Sequence, residues 1–126
     1  MATVNLDKES FGPAIEDNDI LIVDFWASWC GPCRAFAPTF EAASEQHTDV
    51  CFGKVDTQAQ PEIAAHFQIQ SIPTLMIFRD KIMLYNNPGA LPPPALEELI
   101  TKVKAIDMAE VHAQIAAQQA QGEAEA

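Results

Sequence analysis

The run Ile20 to Trp26 is apolar at every position except Asp24, and three residues separate it from Cys30. A short, near-continuous apolar run reads as a buried central strand. Just beyond it, Trp29-Cys30-Gly31-Pro32-Cys33 sets two thiols three positions apart, close enough to close a small disulfide ring. A helical segment opens near Cys33. A cysteine at a helix N-terminus feels the positive end of the dipole and nearby free N–H groups. Its thiolate is stabilised, so it becomes a nucleophile near neutral pH. A Cys-x-x-Cys placed between a strand and a helix is therefore a redox-site signal.

The rest of the chain extends that alternation. Thr3 to Leu6 predicts a short strand and Asp7 to Ile15 a short helix. Cys33 to His47 is helical, with Phe36, Phe40 and Ala43 at helical spacing, and Pro38 is expected to kink it. Val50 to Val55 predicts a strand and Pro61 to Phe67 a short helix with proline in its first turn. Leu75 to Phe78 and Ile82 to Tyr85 predict two strands around a tight turn at Arg79-Asp80-Lys81. Pro92-Pro93-Pro94 opens the last helix, where Ala95, Leu96, Leu99, Ile100, Val103 and Ile106 form an apolar stripe. The order β α β α β α β β α is an α/β pattern with a hairpin near its end. From Ala109 onward the composition shifts to Ala, Gln and Glu. Met108, Val111, His112 and Ile115 keep a stripe at helical spacing. It reads as an extension of the last helix that packs weakly and then frays; a partner-binding helix is the alternative.

A length of 126 residues suits one domain, and a 48% hydrophobic content supplies its core. The net charge of −11 disfavours nucleic acid and anionic membranes as partners. No window approaches the ~20 apolar residues of a membrane span. Met1 to Phe11 has no basic segment followed by an apolar run, so no signal peptide is expected. Three cysteines, an odd number, argue against a structural disulfide framework, and a reducing cytoplasm is the expected setting. A structural zinc site needs about four ligands. Outside the pair only Cys51, His47, His66 and His112 remain, none at ligand spacing, so no metal is expected. Cys51 lies in an apolar strand and reads as a buried core thiol. The histidines read as surface residues.

These segments together resemble the thioredoxin family. Val23-Asp24-Phe25-Trp26-Ala27-Ser28-Trp29-Cys30-Gly31-Pro32-Cys33 is similar, nearly residue for residue, to that family's active-site strand and turn. Pro38 falls where the family kinks its active-site helix. Lys54-Val55-Asp56 resembles the end of its third strand, Ser71-Ile72-Pro73-Thr74 its cis-proline loop, and Pro88-Gly89-Ala90 its last loop before the final helix. The resemblance covers roughly residues 3 to 105, and its motifs occur in the family's order. It implies a thioredoxin fold, an α/β architecture with a central mixed sheet flanked by helices. The thioredoxin domain would span 1–106, and a helical C-terminal extension 107–126. The implied activity is protein-disulfide reduction by thiol–disulfide exchange, serving redox homeostasis. The implied partners are disulfide-containing protein substrates and a thioredoxin reductase as electron donor. No bound cofactor is needed, because the thiols carry the electrons. A monomer is expected.

Cys30, ahead of the helix, is expected to attack, and Cys33, one turn inside, to be shielded and to resolve. Gly31 permits close approach of a partner chain, and Pro32 stiffens the turn. On position alone, Asp24 is equally a buried carboxylate with a task or a strand-edge residue facing solvent. The resemblance implies the former: burial raises its pKa and lets it accept a proton from Cys33. Lys54 is then the charge partner that tunes it rather than an ordinary exposed lysine. Trp29, on the same ground, lines the substrate groove. Pro73 is out of place inside apolar Ile69–Phe78, and a cis Ile72–Pro73 bond explains it. Such a loop would leave the Ile72 backbone free to pair with an extended substrate. Gly89 and Ala90 complete the implied groove.

The chain departs from the family pattern in three places. Arg79-Asp80-Lys81 lacks the glycine usual in that hairpin turn. Ser71 stands where a glycine is often found, two residues before the cis-proline. Residues after Ile106 run past the usual end of the family. The alternative to a reductase is a binding or chaperone-like module that uses the groove and the C-terminal helix. A disulfide-forming oxidant is disfavoured by Gly31-Pro32, which resembles the reducing members.

Overall fold

Alternation along β2 (Ile20–Trp26) divides the core into two halves. The computed structural model describes residues 2–125, with side chains described through residue 122. β2 lies at the centre of a five-stranded sheet of order β1-β3-β2-β4-β5. Its neighbours are β1 (Val4–Asn5), β3 (Cys51–Asp56), β4 (Thr74–Arg79) and β5 (Ile82–Pro88). β1 and β2 pair parallel with β3, whereas β4 pairs antiparallel with both β2 and β5, so the sheet is mixed. Leu21, Val23 and Phe25 point to the side covered by α1 (Phe11–Asp17) and α3 (Pro61–His66). Ile20 and Ile22 point to the other side, where Phe36 and Phe40 of α2 (Gly31–Gln46) and Leu96 and Ile100 of α4 (Pro93–Ala105) pack on them. Both faces are covered, which is why β2 reads as a continuous apolar run. Asp24 and Trp26 continue the row of Ile20 and Ile22, so they lie on the α2 side.

Several boundaries differ from the sequence expectations, each for a local reason. α1 begins at Phe11 rather than Asp7, because residues 7–10 form a turn of their own. Asp7 Oδ1 accepts the Glu9 and Ser10 N–H groups, each at 2.9 Å, and Ser10 Oγ accepts the Asp7 N–H at 2.9 Å. α2 opens at Gly31, two residues before Cys33, and continues through Pro38. β5 extends to Pro88, three residues past Tyr85.

The C-terminal stripe is not a continuation of the last helix. α4 stops at Ala105, Ile106 is extended with ψ 134°, and a separate α5 (Met108–Glu125) follows. Arg79 Nη1 donates to the carbonyls of Val103, Lys104 and Ile106 at 2.7, 3.2 and 2.8 Å. That positive group takes up the orphan acceptors of the α4 terminus. The Asp107 carboxylate accepts the Glu110 N–H at 3.3 Å and starts α5. Met108 is buried, Val111 and Ile115 are half-buried, and His112 is exposed. α5 is helical through Glu125, so the expected fraying is not seen among the described residues.

The β4–β5 turn has Asp80 at φ 51° and Lys81 at φ 69°, both left-handed. Such paired values belong to a type I′ turn, whose second position favours glycine. Aspartate tolerates this region; lysine bears a steric cost. Lys81→Gly is expected to stabilise the fold by about 0.5–1 kcal/mol after the entropy cost of glycine is counted. The Lys81–Glu16 pair it removes is exposed on both sides and contributes little. A urea midpoint that fails to rise would contradict this account of the turn.

Candidate active site

Cys30 is the N-cap of α2, in extended conformation, and its sulfur accepts the Cys33 N–H at 3.2 Å. Cys30 and Cys33 are joined by a disulfide with their Cα atoms 5.2 Å apart. Pro32 occupies the first turn of the helix, where its missing N–H costs nothing. Ala27, Cys30 and Cys33 form a small buried cluster, with Trp26 and Ile72 packed against it. Cys30 Sγ lies 3.6 Å from the Ile72 carbonyl oxygen, across 42 residues of sequence. The Ile72–Pro73 peptide is cis, as the sequence predicts. The Gly89 N–H donates to the Pro73 carbonyl at 2.8 Å, which brings the loop before α4 onto the cis-proline. Gly89 has φ +107°, a conformation that side chains rarely tolerate. Ala90 follows it, exposed. Nothing lies within 4 Å of a Cβ built on Gly31, so a partner chain has free approach there. Trp29 stands 64% exposed beside the pair.

Cys33 is shielded at 2% exposure, but Cys30 is also buried, at 5%. Exposure therefore does not separate the two thiols. Their positions do: one caps the helix beside Ile72, and the other lies inside the first turn.

The Asp24 side chain is buried, and neither oxygen has a hydrogen-bond partner among the described residues. Burial pushes its pKa up from 3.8 to about 7, and the nearby Lys54 charge opposes that rise. Lys54 is the register partner of Asp24 on β3. Its ammonium sits 4.8 Å from the centroid of the Trp26 ring. Carboxylate, ammonium and indole thus share the face covered by α2, whose first turn carries Cys33. Trp26 was not singled out as a site residue; its spacing of two from Asp24 on a strand is the signal that places both on one face. Arg34 follows Cys33, and its Nη1 donates to the Ser28 carbonyl at 2.9 Å, across the disulfide loop.

Other expectations shift in detail. Cys51 is half-buried rather than fully buried, and burial raises its thiol pKa. His66 and His112 are exposed as expected, but His47 is not. Its Nε2 contacts Glu97 at 2.7 Å and its Nδ1 contacts Lys104 Nζ at 3.0 Å, so it ties the end of α2 to α4.

The family model described as Thioredoxin matches residues 2–102. The chain belongs to the thioredoxin family. A Streptomyces coelicolor protein provisionally named thioredoxin 2 is 51% identical over 120 residues, covering 95% of this chain and 90% of that protein. Thioredoxin of Mycobacterium tuberculosis is 44% identical over 81 residues, covering 63% of this chain and 70% of its own. Among solved structures, a chloroplastic thioredoxin z superposes with TM-score 0.77 at 31% identity, over 84% of this chain and 97% of that one. Plasmodium falciparum thioredoxin superposes with TM-score 0.73 at 34% identity, over 79% and 97%. The fold is the thioredoxin fold, and the chain is a thiol–disulfide oxidoreductase with Cys30 and Cys33 at the family's active-site position. Among the described residues, no helix is long and apolar enough to cross a membrane.

Proposed function

We propose that this thioredoxin-family chain works as a protein-disulfide reductase in which Cys30 attacks and Cys33 resolves. The observation that carries the assignment is the hydrogen bond from the Cys33 N–H to the Cys30 sulfur at the head of α2. A thiolate at that point would meet a free N–H and the positive end of the helix. It attacks one sulfur of a substrate disulfide, forms a mixed disulfide and expels the other substrate sulfur as thiolate. Cys33 passes its proton to Asp24 and attacks the Cys30 sulfur. The second substrate thiolate leaves, and the Cys30–Cys33 disulfide closes with two electrons transferred to the substrate. Lys54 limits the basicity of Asp24. Trp29, Gly31, Pro32, Ile72, Pro73, Gly89 and Ala90 form the rim on which a substrate segment lies, and the half-buried Ile72 offers it a backbone edge. Thioredoxin reductase returns the pair to dithiol, in the cytoplasm, and the protein acts as a monomer on disulfide-containing proteins. Dithiothreitol-driven insulin reduction tests the reading: catalysis above the uncatalysed rate supports it, and none sinks it.

Residues 1–106 constitute the exchange domain in this reading, and 107–126 an extension dispensable for chemistry. Among the described side chains of α5 only Met108 is buried, with Val111 and Ile115 half-buried. Deleting Ala109 to Ala126 is expected to leave insulin reduction nearly unchanged and to cost about 1 kcal/mol or less. Sedimentation of both forms tests the monomer; a dimer that dissociates on deletion, with loss of turnover, would favour a binding module instead.

A further inference from the structure

The net charge of −11 is distributed unevenly. The segments 27–33, 57–60, 68–73 and 86–92 contain no Asp, Glu, Lys or Arg. All belong to the disulfide end of the sheet. Ile72 contacts Cys30, Gly89 bonds to Pro73, and the Thr57 N–H donates to the Trp26 carbonyl at 2.9 Å. Of the nearby carboxylates, Asp24 is buried, and Asp56 accepts the Gln58 N–H at 2.9 Å. The acidic charge of the protein is therefore sparse on its exchange face.

Arg34, directly after Cys33, borders this face and is exposed. Among the described residues the other cations are already engaged. Lys8, Lys81, Lys102 and Lys104 pair with Glu62, Glu16, Glu98 and Asp49. Arg79 holds the α4 carbonyls, and Lys54 lies over Trp26. Arg34 has no carboxylate partner among them. Its bond to the Ser28 carbonyl uses one of five N–H donors and fixes the guanidinium against the loop of Cys30. A prefixed planar fork with free donors suits a carboxylate. The field of the distant acids is screened beyond ~8 Å at physiological ionic strength, so charge at contact range decides.

We propose that Arg34 is a specificity-determining residue that selects disulfides whose cysteine is flanked by Asp or Glu, by binding that carboxylate with its free N–H groups. The inference rests on the reductase reading. The test uses two disulfide-bonded peptides that differ only in Glu or Lys beside the cysteine, with dithiothreitol as reductant at about 0.15 M salt. The quantity read is the ratio of kcat/KM for the Glu peptide to that for the Lys peptide. Arg34→Gln is expected to lower it about five-fold, the scale of an exposed ion pair, mainly through KM. Arg34→Lys is expected to restore part of it. Lys102→Gln makes the same change in net charge near the far end of α4 and is expected to leave the ratio as in the parent. An unchanged ratio in Arg34→Gln, or an equal fall in Lys102→Gln, overturns the proposal. A parent protein that reduces neither peptide sinks the reductase reading instead.

Discussion

Cys30→Ser is expected to abolish disulfide turnover, whereas Cys33→Ser retains the first attack and accumulates mixed disulfides. The two sulfurs differ little in burial, at 5% and 2% exposure, so the asymmetry has to come from their backbone setting. Cys30 caps α2, with the Cys33 N–H 3.2 Å from its sulfur and the Ile72 carbonyl 3.6 Å away on the groove side. A negative sulfur there is stabilised by the helix terminus. Cys33 lies inside the first turn, on the side of the sheet that carries Asp24. Serine at 30 leaves no nucleophile at the groove; serine at 33 leaves the mixed disulfide without its internal attacker. Mass spectrometry after incubation with a disulfide substrate checks the assignment. Adducts on Cys33 in the Cys30→Ser protein, and none on Cys30 in the Cys33→Ser protein, would reverse the roles.

Asp24→Asn should make the protein more stable and slower. A folded-state pKa of about 7 against 3.8 corresponds to about 4 kcal/mol at 1.36 kcal/mol per pKa unit. The sign follows from which state holds the proton. Below about pH 4 the carboxyl is protonated folded and unfolded, and it contributes nothing. Between about pH 4 and 7 the folded chain keeps a proton that the unfolded chain releases, so stability falls as pH rises. Above about pH 7 the full cost of a buried carboxylate is present. Asparagine removes the charge but buries an amide, so a net gain of about 2–4 kcal/mol is expected at pH 8 and almost none at pH 4. In catalysis the substitution removes the proposed acceptor for the Cys33 proton. The resolving step should slow by about 10²-fold near neutral pH and recover toward alkaline pH, where the thiol ionises unaided. Urea unfolding at both pH values and single-turnover kinetics across pH read the two effects. Equal stability at pH 8 would contradict the burial cost, and a deficit independent of pH would remove Asp24 from proton transfer.

What the sequence made legible was local. The apolar run of β2, the cysteine pair after it and a proline in the wrong place for a strand each constrain the backbone within a few residues. They point to the helix cap and the cis bond; the burial of Asp24, open on position alone, follows from the family resemblance. What escaped notice depends on partners far along the chain. His47 looked like a surface residue because Glu97 and Lys104 stand 50 and 57 residues away. The apolar stripe of α4 runs on through Ile106, so periodicity alone carried the helix past the point where Arg79 captures its carbonyls. Arg34 belongs to no motif; the role proposed for it depends on four uncharged segments that only the fold brings together.

The position of Arg79 also decides at which end of the sheet the C-terminal helix starts. Thr74 begins β4 opposite Phe25, near the disulfide, and Arg79 ends it opposite Ile20. Six strand residues place the guanidinium ~17 Å from the reactive pole. The junction of α4 and α5 is anchored at that opposite pole. The C-terminal helix therefore starts at the end of the sheet away from the sulfurs, and a change at its first turn touches none of the residues around them.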